Sequence, residues 1–286
     1  MTYWYPDSWP PGDYPGRAKD GVLVMNSADA AKVVRKFNEG RFTGLVVNGE
    51  HGARGLTDLA FVLDMDPAKL LHLNVLAYGI TDDRAVERLT GLVSLHLDTG
   101  ARSRLRLEGH WRLTDLGLDG ERVPRAGLAH LPLKNMFLMN YQAPDWTGLP
   151  PSLQYAKVIW RRLETLDGLD RLDLRLLILA YARRILDWSL LATQSGLRYL
   201  ELSSVPVREL SWLSGLTRLR SLTLENCGAL TGWPELVHAS STLDRLNTAS
   251  WSVHGKTTIT DAPSSDAAAR LCDEVAHRGR RQGRTG

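Results

Sequence analysis

The stretch that decides the fold is Val207-Arg208-Glu209-Leu210-Ser211-Trp212-Leu213-Ser214-Gly215-Leu216-Thr217-Arg218-Leu219-Arg220-Ser221-Leu222-Thr223-Leu224. Val207, Leu210, Leu213, Leu216, Leu219 and Leu222 fall every three residues, and Leu224 then follows after two. A period of three suits a tight helical or extended coil rather than the 3.6 of an α-helix, and a period of two is that of a strand. The stretch reads as a compact return segment, a turn and a short strand. Leu163, Leu166 and Leu169 echo the same spacing upstream.

Working outward, the pattern L-x-x-L-x-L, with other apolar residues allowed, recurs ten times. The triplets are Phe42/Leu45/Val47, Leu70/Leu73/Val75, Leu92/Leu95/Leu97, Leu113/Leu116/Leu118 and Leu133/Met136/Leu138, then Leu153/Ala156/Val158, Leu174/Leu177/Leu179, Leu197/Leu200/Leu202, Leu219/Leu222/Leu224 and Leu243/Leu246/Thr248. Their third positions step by 20 to 28 residues, a register that fixes a repeat architecture before any other feature is weighed. Of 49 leucines, 47 lie between Leu45 and Leu246, against 4 phenylalanines in the whole chain, so the core is built of leucine. One repeat cannot bury its leucine face alone; stacked repeats make a continuous core.

These residues resemble the leucine-rich repeat family, in the short-repeat, bacterial class seen in internalins and in some phosphatase regulatory subunits. The resemblance covers about 42–253. It implies an α/β fold: a solenoid with a parallel β-sheet on its concave face, 3-10 or irregular segments on its convex side, and helical caps. The family places an Asn or Cys after the third leucine position to hydrogen-bond the turn backbone. Here only Cys227 matches, and Glu50, Tyr78, Tyr141, Arg161 and Trp251 stand at other equivalents, so several turns are expected to be satisfied differently.

Flanking segments complete the expected organisation. Residues 1–20, rich in Pro and in Tyr3, Trp4, Tyr5, Trp9 and Tyr14, form a flexible lead that either docks on a partner or folds over the first repeat. Residues 21–41 form an N-terminal cap, its helix running from Ala28 to Asn38, capped by Ser27 and closed by Gly40. Residues 254–277 form a C-terminal cap whose helix begins at Ser264 or Ser265, and 278–286 a basic flexible tail.

The net charge is +3, but Arg278, Arg280, Arg281 and Arg284 supply +4 of it, leaving about −1 on the remainder. Such a body does not attract phosphate backbones, so nucleic acid is not expected as a partner. No stretch reaches the ~20 apolar residues of a membrane span, and Met1–Gly16 lacks the basic start and apolar run of a secretory signal. Cys227 and Cys272 show neither a CxxC nor a disulfide pattern. A cytoplasmic setting is expected.

Motifs for chemistry are weak. His254-Gly255-Lys256-Thr257 ends like a phosphate-binding loop but has Ser250 where the first glycine belongs and no helix start beyond it. Gly49, Gly52 and Gly55 do not have dinucleotide spacing. His72, His96, Asp98, Asp115 and Asp119 point away from the core in repeats two to four if the leucines are aligned. They give an alternative reading, a metal-dependent hydrolase, against a solvated face that steers a basic partner.

The repeat register makes a sharper prediction. Residues between the leucines face outward, and around repeats five to seven these include Phe137, Met139, Tyr155, Lys157, Ile159, Leu176 and Ile178. Trp160 and Tyr181 lie at the strand exits, and Tyr199 extends the stripe in repeat eight. Lys157, Arg175, Arg198 and Arg220 lie on or near it. Exposing apolar surface costs about 25 cal/mol per Å², so a contiguous patch implies a partner. The expectation is a non-enzymatic adaptor, inhibitor or regulatory subunit that binds another protein through its concave face, with no cofactor and no small-molecule substrate.

Overall fold

Each of the first nine leucine triplets sets its last two members on a strand, with one outward residue between them, and the tenth sets Leu246 on one. The computed structural model describes residues 21–25, 28–49, 53–124, 127–227, 229–230, 243, 245–247 and 258–259. The chain divides into two compact units, residues 1–103 with 109–115, and residues 104–108 with 116–286.

In the first unit, β1 (Val22–Met25), β2 (Gly44–Asn48), β3 (His72–Ala77) and β4 (Ser94–Thr99) lie side by side in chain order, every pair parallel. The register runs Leu23–Leu45–Leu73–Leu95 and Met25–Val47–Val75–Leu97, so apolar residues form two buried columns. Strand β1 precedes the first triplet and adds a strand to the expected cap. Helix α1 (Ala30–Glu39) follows it. Its N-cap is Asp29 rather than the expected Ser27: the Asp29 carboxylate accepts from the Lys32 amide at 3.0 Å. Val33 and Phe37 face the core, and Gly40 closes the helix as expected.

In the second unit the sheet order is β5 (Asp115–Asp119), β6 (Asn135–Met139), β7 (Tyr155–Ile159), β8 (Leu176–Ala180), β9 (Tyr199–Ser203), β10 (Ser221–Glu225) and then β12 (Arg245–Asn247). Asp115 itself groups with the first unit. From β6 onward every pair is parallel, with core columns Met136–Ala156–Leu177–Leu200–Leu222–Leu246 and Leu138–Val158–Leu179–Leu202–Leu224. A separate parallel pair joins β11 (Ala229–Leu230) to β13 (Thr258–Ile259). The expected C-terminal helix, the phosphate-loop-like string, the lead segment and the tail lie outside the described residues, apart from Thr258 and Ile259.

The three-residue leucine period has a backbone cause. Leu213, Leu216 and Leu219 each donate their amide to the carbonyl three residues back, at 2.9, 3.0 and 3.1 Å, through the 3-10 helix Ser211–Gly215. Side chains three apart eclipse one another in that geometry, so all of them meet the core. Three polar residues occupy the same phase: Asp83, His110 and Gln194, all buried. Asp83 accepts from the Thr99 hydroxyl at 2.8 Å, and His110 Nε2 donates to the Val86 carbonyl at 3.1 Å. Gln194 accepts from the Leu174 amide at 3.1 Å and donates to the Leu169 carbonyl at 2.8 Å. Each ties its own return segment to a neighbouring repeat.

The turns after the strands are satisfied differently from the family pattern, as expected. Tyr141, Ala182, Val205 and Cys227 at the Asn position are all buried. The preceding residues Asn140, Tyr181, Ser204 and Asn226 take left-handed backbone conformations, φ +52° to +63°. After β7 the pattern slips by one. Arg161 is exposed and Trp160 fills the interior, its Nε1 donating to the Ala143 carbonyl at 2.6 Å. The Cys227 thiol donates to the Leu202 carbonyl, and burial pushes its pKa up to about 11.

Candidate functional site

The outward residues of β6 to β10 align in rows because the strands are parallel and in register. One row is Asn135–Tyr155–Leu176–Tyr199–Ser221, the next Phe137–Lys157–Ile178–Glu201–Thr223, and the third Met139–Ile159–Ala180–Ser203–Glu225. Neighbouring strands lie about 4.8 Å apart, so members of a row touch flank to flank.

Phe137, Met139, Lys157, Ile159 and Tyr199 are half-buried on this face, and Tyr181 at the β8 exit is 39% exposed. Three residues differ from expectation. Tyr155, Leu176 and Ile178 are buried, at 8%, 4% and 8% exposure. Leu176 stands between Tyr155 and Tyr199, and Ile178 between Lys157 and Glu201, so long neighbours shield them. Trp160 is a correction: it is 0% exposed and belongs to the core, its ring centroid 4.9 Å from Trp146 and 5.0 Å from Tyr141.

Lys157 is the one charge among the outward residues of β6, β7 and β8. Its ammonium lies 5.3 Å from the centre of the Phe137 ring, within cation–π range. Burial pushes its pKa down, with the Glu201 carboxylate two strands away partly opposing the shift. Burial pushes Glu201 up, and Lys157 partly opposes that too. The signal for Glu201 was in the sequence, since it separates Leu200 from Leu202 as the predicted residues separate theirs. At the exits, Arg161 and Arg183 stack over the Tyr181 ring at 5.7 and 5.8 Å.

The histidine–aspartate set is brought together only in part. In the first unit His96 Nε2 lies 2.9 Å from Asp115 Oδ1, both largely shielded. His72 is pushed below the usual histidine range by burial, with Asp115 opposing. Asp98 instead accepts from the Tyr78 hydroxyl at 2.9 Å. Asp119, in the second unit, accepts from the Glu121 amide and starts the 3-10 turn Gly120–Arg122. Among the described residues, no group of three His, Cys, Asp or Glu is placed to hold a metal ion. No helix among them is long and apolar enough to cross a membrane.

Parallel registered strands, a leucine core and 3-10 returns make this a protein of leucine-rich repeat fold, internalin-like in its short repeats. An internalin (inlF) from Listeria monocytogenes superposes with a TM-score of 0.52 at 19% identity, covering 86% of this chain and 75% of its own. Internalin C2 (inlC2) from the same organism gives a TM-score of 0.43 at 20% identity, covering 72% and 77%. No family model and no curated protein matches the sequence.

Proposed function

We propose that this chain is a non-enzymatic protein-binding scaffold, an adaptor, inhibitor or regulatory subunit, and that the outward face of β6 to β9 is its docking surface. The observation that carries the proposal is the run of large apolar side chains on that face. Phe137, Met139 and Ile159 stay partly exposed beside the buried Tyr155, Leu176 and Ile178. Contiguous apolar surface of this kind is a partner's footprint more often than a solvated face. A cytoplasmic site of action belongs to the same proposal.

The test is a triple substitution, Phe137→Asp, Met139→Lys and Ile159→Asp, on a chain whose unfolding transition is checked in parallel. Affinity capture from the native cell, read by mass spectrometry, should lose its specific partner with the variant. A variant that unfolds like the parent yet captures the same partner would overturn the proposal.

A further inference from the structure

We infer that the partner of this face presents an acidic segment, one carboxylate of which docks against Lys157. The inference rests on the docking proposal above and specifies the partner's chemistry.

Two independent placements support it. The first is the half-buried Lys157 ammonium among apolar neighbours, which forms no ion pair among the described residues. Its facing acid, Glu201, stands two strands away, the backbones about 10 Å apart by sheet spacing, and opposes the Lys157 shift without pairing with it. A cation partly drawn out of water with no carboxylate in ion-pair contact is an incomplete site, and a carboxylate from outside completes it. The second is a cationic row. The residues just before β6, β7, β8, β9 and β10 are Lys134, Gln154, Arg175, Arg198 and Arg220, and the four cations are exposed. Backbone bonds hold them in register: the Gln154 amide to the Lys134 carbonyl at 2.9 Å, then Arg175 to Gln154 at 2.7 Å, Arg198 to Arg175 at 2.8 Å and Arg220 to Arg198 at 2.8 Å.

The corresponding positions before β2, β3 and β4 are Thr43, Leu71 and Val93, so the basic row is a property of the second unit. With Arg161 and Arg183 at the exits, cations border the apolar floor along both strand ends. Opposite charge on a partner would speed its encounter and set its orientation, while the apolar floor holds it. A nucleic acid is the less suited partner: base stacking needs rings with an open face, and here Tyr155 is buried, Phe137 carries the Lys157 ammonium over its ring and Tyr199 is half-buried.

The probe is a phage-displayed library of random twelve-residue peptides panned on the full chain, with an oligo-dT twelve-mer as a competitor. Selected peptides should be enriched in Asp and Glu next to aliphatic or aromatic residues. Lys157→Glu should weaken them at least about 30-fold, and a peptide with its key acid changed to Lys should regain binding to that variant. The Phe137/Met139/Ile159 triple variant separates the two claims. Peptides lost with that variant but carrying no acidic enrichment would overturn the acidic inference and leave the docking face standing. Recovery of no peptide that the triple variant loses would overturn both. Displacement by oligo-dT that depends on Lys157 would assign the site to nucleic acid and overturn the inference.

Discussion

Replacing Trp160 with Ala tests the packing that corrects the sequence reading. The indole is fully buried, meets Trp146 and Tyr141, and donates to the buried Ala143 carbonyl. A tryptophan buries roughly 150–250 Å², which at about 25 cal/mol per Å² is worth about 4–6 kcal/mol. The residual cavity and the orphaned carbonyl act in the same direction, and buried Trp→Ala changes cost about 3–5 kcal/mol. We therefore expect a loss of about 4–5 kcal/mol, against a total stability of about 5–15 kcal/mol for a domain. Urea unfolding followed by circular dichroism reads the difference. Trp160→Phe keeps a ring but leaves the Ala143 carbonyl without its donor, for about 1–3 kcal/mol, and it gives the reading if the Ala variant fails to fold. Tyr181→Ala, on the partly exposed exit residue next door, should cost under about 1 kcal/mol beyond its cation–π contacts. Equal losses from the Trp160 and Tyr181 variants would refute the inward placement of Trp160.

Three further outcomes follow from particular contacts. Gln194→Leu restores the leucine phase yet strands the Leu174 amide and takes one of two donors from the Leu169 carbonyl, which keeps the Leu172 amide, so it should destabilise by about 1–3 kcal/mol in the same assay; a gain in stability would show that these bonds are dispensable. Gly168 has φ +85°, and an added Cβ would lie 2.8 Å from the Thr147 amide nitrogen, so Gly168→Ala should cost about 1–3 kcal/mol, where a Gly→Ala change at a permissive site would be neutral or stabilising. His72 has its pKa lowered in the fold, so the unfolded chain binds the extra proton first. Its contribution is present above the ordinary histidine range near 6.5 and is lost as pH falls through that range toward the lowered value. Unfolding midpoints measured from pH 7.5 to 5 should fall less steeply for His72→Asn than for the parent.

What was legible in the sequence was whatever a period can carry. The L-x-L pairs marked β2 to β10 and β12, and the three-residue spacing marked the 3-10 returns, because both repeats are set by backbone geometry. Strand β1 lacks the leading leucine of a triplet, and Asp29, two positions past the expected cap Ser27, caps the helix because its carboxylate reaches the Lys32 amide. Trp160 was misassigned because the family spacing points to Arg161, and a one-residue slip at a turn leaves no periodic trace. Alternation placed Leu176 and Ile178 on the outward face but could not show Tyr155, Tyr199, Lys157 and Glu201 closing over them. That shielding comes from partners twenty-odd residues away in sequence. The cationic row was partly visible as Arg175, Arg198 and Arg220; Lys134 joins it only once β6 is in register.

The most direct measurement is hydroxyl-radical footprinting of the full chain with and without its captured partner. Oxidation of Phe137, Met139 and Tyr199 should fall on binding, while Tyr78 and Trp111 in the first unit, both 72% exposed, keep their free-state labelling. Protection confined to Tyr78 and Trp111, with Met139 and Phe137 unchanged, would contradict the placement of the docking surface.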